Sequence, residues 1–148
     1  MTIALRYYDL DDLADRINTT FYNHELKHSG SNFPKINAWL EKAKDETCKN
    51  KLIIQASLSG YRPEDVEITV DATESTLTFE SAKNTENDET EYFIREIKKS
   101  AFSRKLVLHN SINLNSYDSK YENGLVTISF DLKTDEELGR RKIKIGEN

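Results

Sequence analysis

Short segments in which apolar and polar residues alternate, each closed by turn-forming residues, constrain this chain more than any other feature. In residues 51–58 (KLIIQASL), Leu52, Ile54, Ala56 and Leu58 share one face, because successive side chains of a strand point to opposite sides. Val66, Ile68 and Val70 repeat the pattern against Glu67 and Thr69, after a break at Ser59, Gly60, Arg62 and Pro63. Residues 38–42, 76–80, 91–97, 101–108 and 125–132 have the same character. Strands this short bury their apolar faces only by stacking in layers, so the expectation is an all-β sandwich or barrel of roughly six or seven strands. Asn123 and Gly124 precede the last segment. Both tolerate positive φ, as a tight hairpin requires, and the turn is expected to set Tyr121 beside Leu125.

The chain departs from this period at both ends. Across residues 9–23, Leu10, Leu13, Ala14, Ile17 and Phe21 recur at helical spacing, with Asp11, Asp12 and Asp15 on other faces, which predicts one amphipathic helix. Asp9 is placed to cap it, and the acidic first turn suits the positive end of the helix dipole. Gly30 and Pro34, in HSGSNFP, then mark a boundary, since neither continues a helix cheaply. The expected organisation is an arm at 1–32, a domain at 33–132 and a tail at 133–148. The tail is highly charged around Ile143 and Ile145, and residues 81–91 (SAKNTENDETE) are too polar to pack, so they predict a long exposed loop.

Composition excludes several functions. A net charge of -5 and a sequence pI of about 5.3 repel a phosphate backbone, so nucleic acid is not an expected partner. No segment approaches the roughly 18 apolar residues that span a bilayer, and the helix's acidic polar face would be repelled by anionic lipid. With a start that lacks a basic region followed by an apolar run, the expected location is the cytoplasm. Cys48 is the single cysteine, which permits no intrachain disulfide or cysteine zinc cluster. No phosphate-cradling G-x-x-x-x-G-K segment occurs.

One string has catalytic form: His24, Glu25, Leu26, Lys27 and His28 spell H-E-x-x-H, which on a helix sets two imidazoles one turn apart beside a carboxylate. Ser29, Gly30 and Ser31 end the helical pattern directly after it, and Pro34 stands where an extended motif would carry its third histidine. A zinc hydrolase is therefore the remote alternative, and the expectation is no enzyme, no metal and no cofactor.

Gly60, Tyr61, Pro63, Glu64, Asp65 and Val66, followed by 67–70, resemble the opening of an α-crystallin domain. Phe102, Arg104, Lys105, Leu106 and Leu108 are similar to that family's Phe-x-Arg-Lys strand. Glu122, Asn123, Gly124, Leu125 and Val126 are similar to its hairpin, and Ile143 and Ile145 to its Ile-x-Ile tail. The chain thus resembles the small heat-shock proteins of the Hsp20/α-crystallin family, the bacterial inclusion-body-binding branch above all. Ser119 stands where the family usually has alanine, 71–75 is longer than the usual turn, and Gly139, Arg140, Arg141 and Lys142 replace the proline often found before Ile-x-Ile.

The resemblance implies an α-crystallin-type (immunoglobulin-like) β-sandwich with a short N-terminal helical arm and an extended C-terminal tail. It also implies an ATP-independent holdase that binds partly unfolded proteins, built as a homo-oligomer of strand-exchanged dimers, with ATP-driven chaperones as partners in refolding. It places the tail's acceptor between Val66, Ile68 and Val70 on one side and Ser119 and Tyr121 on the other. The plainer reading makes Ile143 and Ile145 a last strand of the chain's own sandwich. The dimer contact falls on Tyr92, Phe93 and Ile94 crossing to a partner's Trp39 and Leu40, against an ordinary hairpin within one subunit. Arg104, a guanidinium among apolar residues, is read as a brace for that interface or else as a solvent-facing charge. Leu10, Leu13, Ile17, Phe21, Tyr22 and Phe33 are the candidate client-binding surface, or else only packing for the arm. A monomeric co-chaperone or adaptor of the p23 type is the alternative within the same fold.

Overall fold

The computed structural model describes residues 10–27 (24–27 by backbone alone), 32–45, 47–82, 89–97, 99–134, 137–139 and 143–146. Among these, the alternating segments form strands in two antiparallel sheets. The wider sheet has the order β1 (Ile36–Glu41), β2 (Lys51–Ser57), β7 (Leu125–Leu132), β6 (Ile112–Glu122). The narrower has the order β3 (Glu67–Asp71), β4 (Thr76–Ser81), β5 (Phe102–Val107). A 3-10 turn, Pro63–Asp65, leads from one sheet to the other. This is the expected β-sandwich.

Its core lies where the inner faces meet. Leu52, Ile54 and Ala56 of β2 and Val126, Ile128, Phe130 and Leu132 of β7 pack toward Leu77 and Phe79 of β4 and Phe102 and Leu106 of β5. Burial of each large apolar side chain is worth about 1.5–3 kcal/mol, so this face-to-face contact is the main term holding the two sheets together.

The hairpin between β6 and β7 turns on Asn123 and Gly124, at φ 55 and φ 79. A two-residue loop makes its flanking residues the closing pair, so Glu122 faces Leu125 and Tyr121 faces Val126. The sequence expectation, Tyr121 beside Leu125, is off by one residue. Gly124 also meets the break after β2, where its carbonyl accepts the Leu58 N–H at 2.8 Å. A Cβ at Gly124 would lie 2.8 Å from Ser59 Oγ.

The alternative of an ordinary hairpin at residues 91–97 within one subunit is not met: among the described residues they pair with no strand, and Phe93 and Ile94 lie in solvent. Conversely, β6 was not legible as a strand along its length. Ile112 and Leu114 begin an alternation, but a register shift between Asn113 and Tyr117 breaks it, and the strand continues mostly through polar residues.

Helix α1 (Leu10–Lys27) extends one turn beyond the predicted end, with Asp11 and Asp12 in its first turn and Arg16 paired to Asp12 at 3.1 Å. Asp9, its expected cap, lies outside the described residues. Leu13 and Ile17 are buried in the sandwich's core cluster, and Phe21 packs partly against it. The segment after the helix is tied down by an aromatic trio, Phe33, Tyr61 and Phe102, with ring centroids 5.1–5.7 Å apart. Arg104 adds to this by donating to the carbonyls of Pro34 at 2.7 Å and Asn32 at 3.2 Å.

In the turn before β6, His109 Nδ1 accepts the Ser111 backbone N–H at 3.2 Å and lies 2.8 Å from Ser111 Oγ. Burial, and secondarily the charge of Arg16 on α1, hold its pKa below the ordinary 6.5.

Two outcomes are expected. Gly124→Ala forces a side chain into a positive-φ site against Ser59 and should cost roughly 1–3 kcal/mol, read as a fall of several degrees in thermal midpoint. His109 binds its proton more readily when unfolded, so its contribution is complete above its unfolded pKa and is lost as pH falls through the depressed folded value. Acidification from about pH 7.5 to about pH 5.5 should therefore destabilise the parent chain more than His109→Asn, compared by thermal midpoints at the two pH values.

Candidate functional site

The two sheets differ in width, and that difference makes a groove. In the wider sheet, Tyr117, Ser119 and Tyr121 of β6 stand opposite Phe130, Ile128 and Val126 of β7. Those three β7 residues are buried, so the β6 side chains beside them point to the same inner face. Yet Tyr117 is 62% exposed and Tyr121 39%, because the three-stranded sheet stops short of β6. Its outer strand, β3, turns Ile68 and Val70 inward opposite the fully buried Phe79 and Leu77. Val66, Ile68 and Val70 are left only half-buried.

Between β3 and β6 lie two cavities. One, of 370 Å³, is lined by Ile68, Val70, Leu114, Tyr117, Ser119 and Ile128 among others. The second, of 180 Å³, is lined by Pro63, Val66, Ile68, Ser119, Tyr121 and Val126 together with Lys120. The five acceptor residues expected from sequence are therefore brought together. Sequence reasoning missed Tyr117, which shares the face of Ser119 and Tyr121 by simple alternation, and the floor made by Leu114 and Ile128. Tyr121 is steadied by its hydroxyl, which donates to the Tyr61 carbonyl at 3.1 Å. Lys120 and Glu122, 2.7 Å apart on the outer face, raise and lower each other's pKa through their hydrogen bond.

The opposite edge of the wider sheet is β1. The Ser57 N–H donates to the Lys35 carbonyl at 2.9 Å, which makes 35, 37, 39 and 41 the hydrogen-bonded positions and turns the backbone of Ile36, Ala38 and Leu40 to the free side. Among the described residues no strand pairs with this edge, and a backbone row of this kind invites another strand. Trp39 and Leu40 share a 410 Å³ cavity with Ile17 and Phe21 of α1 and with Arg104. Three of the six residues expected at a dimer contact thus line one place, while Tyr92, Phe93 and Ile94 project into solvent.

Where the tail leaves the domain, Thr134 and Glu137 are tied to each other and to the wider sheet. Thr134 Oγ1 accepts the Glu137 N–H at 3.2 Å, and the Glu137 carboxylate accepts from Asn113 at 3.3 Å and lies 3.9 Å from Lys49 Nζ. Beyond it, Ile143 and Ile145 are 91% and 93% exposed. They are not a last strand of the sandwich.

Of the candidate client-binding residues, Leu13 and Ile17 are buried under the helix, Leu10, Phe21 and Phe33 are half-buried, and Tyr22 is exposed. His28 and the side chains of His24 and Glu25 lie outside the described residues. Among those described, no cluster of histidine, cysteine and carboxylate side chains could hold a metal ion, and no helix is long and apolar enough to cross a membrane.

Comparison with known proteins gives this geometry a family. The family model described as Hsp20/alpha crystallin family matches residues 44–146. The small heat shock protein HspE of Bradyrhizobium diazoefficiens is 30% identical over 151 residues, covering 95% of this chain and 89% of that protein. The fold is similar to a small heat-shock protein from Xylella fastidiosa, at TM-score 0.52 and 19% identity over 76% of this chain and 96% of that one. It is also similar to HspA from Xanthomonas axonopodis, at TM-score 0.54 and 18% identity over 68% and 93%. Heat shock protein 16.0 from Schizosaccharomyces pombe aligns at TM-score 0.53 and 23% identity over 79% and 85%. A family model spanning 44–146, a relative matched nearly end to end and a shared sandwich together establish that this chain belongs to the Hsp20/alpha crystallin family.

Proposed function

We propose that the chain is an ATP-independent holdase that captures partly unfolded proteins as a homo-oligomer. The observation that carries this reading is a complementary pair left unsatisfied within one chain. An apolar groove stands open between β3 and β6, and two isoleucines two residues apart stand in solvent on the tail. Residues two apart on an extended segment face the same way, so Ile143 and Ile145 fit such a groove with Lys144 outward. Burying both is worth roughly 3–6 kcal/mol before the tail's ordering entropy is subtracted, which leaves a weak contact that gains stability by repetition.

The dimer is built, on this reading, by residues 91–97 of one copy pairing with β1 of another. Among the described residues, the alternating segment 91–97 has no partner strand and the free edge of β1 has no neighbour, and on this reading they are two halves of one ladder. Arg104 contributes by holding the segment at 32–34 against the sandwich beside β1, so the edge is presented in fixed form.

Client capture falls to the arm. Leu13 and Ile17 are the helix's own buried residues, and release of the helix would uncover them together with Ile36 and Leu40, which line a cavity with Ile17 and Phe21. Residues 1–32, 33–132 and 133–148 then act as client arm, assembly domain and assembly tail, in the cytoplasm, passing clients to ATP-driven chaperones for refolding.

The test is light scattering from an aggregation-prone protein heated with and without this chain, with no ATP and with a chelator present. Suppression at near-equal mass is expected. Unchanged scattering would contradict the holdase and favour the p23-type adaptor, and suppression lost only on adding chelator would point to the zinc reading.

A further inference from the structure

We propose that the tail of a second copy enters the groove in one direction only, with Arg140, Arg141 and Lys142 held at an acidic mouth beside Val66 and the isoleucines running from there toward Val70. This rests on the reading that Ile143 and Ile145 fill the groove, and it assigns that site a polarity and a charged clamp.

The mouth is a 570 Å³ cavity lined by Glu64, Asp65, Glu67 and Glu80 with Val66, Ser81, Ala82 and Phe102. Val66 also lines the groove cavity that holds Tyr121 and Ser119, so the acidic mouth and the apolar groove are continuous across one side chain. Within the mouth, Glu67 stands directly opposite Glu80 in the β3–β4 register. Like charges placed directly across an antiparallel pair repel, a cost that an incoming cation removes. On the β5 side the nearest cation in the register is Lys105, paired with Thr78 and diagonal to Glu80, whereas the β3 side of the mouth carries Glu64, Asp65 and Glu67. Ser81 lines the same cavity at 4% exposure, and its hydroxyl has no hydrogen-bond partner among the described residues. A buried oxygen of this kind is costly unless it accepts a bond, which a guanidinium N–H supplies.

The far end of the groove differs. Its lining by Ile68, Val70, Ala72, Leu114, Asn115, Tyr117, Ser119 and Ile128 carries no charge. Asp71, at the end of β3, spends its carboxylate on the backbone N–H groups of Thr73 at 2.9 Å and Glu74 at 3.1 Å.

The tail carries the matching asymmetry. Arg140, Arg141 and Lys142 directly precede Ile143, whereas Glu147 follows Ile145. An extended chain advances about 3.3 Å per residue. With Ile143 beside Val66 and Tyr121, Lys142 and Arg141 therefore fall about 3 and about 7 Å further along, at the carboxylates. The reverse orientation would bring Glu147 to the acidic mouth and leave the basic run over an uncharged lining.

The experiment uses the full-length chain and follows the concentration at which the oligomer dissociates on dilution, at low and high salt. Glu64→Lys/Glu67→Lys should raise that concentration about tenfold at low salt, and less at high salt. Adding Arg140→Glu/Arg141→Glu to the same chain should restore it, which a misfolded variant would not do. Ile143→Ser/Ile145→Ser tests the underlying reading separately. If the isoleucine variant dissociates while the charge-reversed chain matches the parent, or the double reversal fails to restore assembly, the clamp is wrong and the groove reading stands. If the isoleucine variant assembles like the parent, the groove reading fails and the clamp with it.

Discussion

The packing of a four-stranded sheet on a three-stranded one is the contact on which the rest of the molecule depends. Leu52, Ile54, Phe130, Leu77 and Phe79 are almost wholly buried between the layers, and their burial fixes register and layer spacing together. Because the layers are unequal, the same packing leaves β6 overhanging β3. The groove is therefore a consequence of strand count, lined by side chains that alternate inward and find no layer opposite them. Nothing else in the chain need change for the site to exist.

Helix α1 meets the sandwich at its other margin, against β5 and the cavity beside β1. Leu13 and Ile17 gain burial there, although one amphipathic helix carries fewer buried side chains than the sheet-to-sheet core. Arg104 and the aromatic trio of Phe33, Tyr61 and Phe102 hold the connecting segment independently of the helix. On the proposed reading, loss of the helix from its dock exposes apolar surface without disturbing the edge of β1.

Much of this was legible in the sequence. Period-two alternation located β2, β3, β4, β5 and β7, since each has one wet and one buried face, and Asn123-Gly124 gave away its hairpin. β6 was hidden because a bulge breaks its alternation and because its inward residues, Tyr117, Ser119 and Tyr121, include polar ones suited to an uncovered position. At residues 91–97 alternation reports that a segment can be half-buried, and it does not specify a partner strand. The partners of Arg104 are backbone carbonyls, which no residue pattern announces, and the opposition of Glu67 to Glu80 exists only once the register is known. Helical spacing identified the face of α1 that packs, while the surface it packs on required the fold.

The central claim is that the groove and the exposed isoleucines of one chain are completed by other copies of it. Sedimentation velocity of the full-length chain across a wide dilution series tests this most directly. The account predicts assemblies larger than a dimer at high concentration that break down to dimers as the weak tail contacts are diluted out. A single monomeric species at every concentration would contradict it.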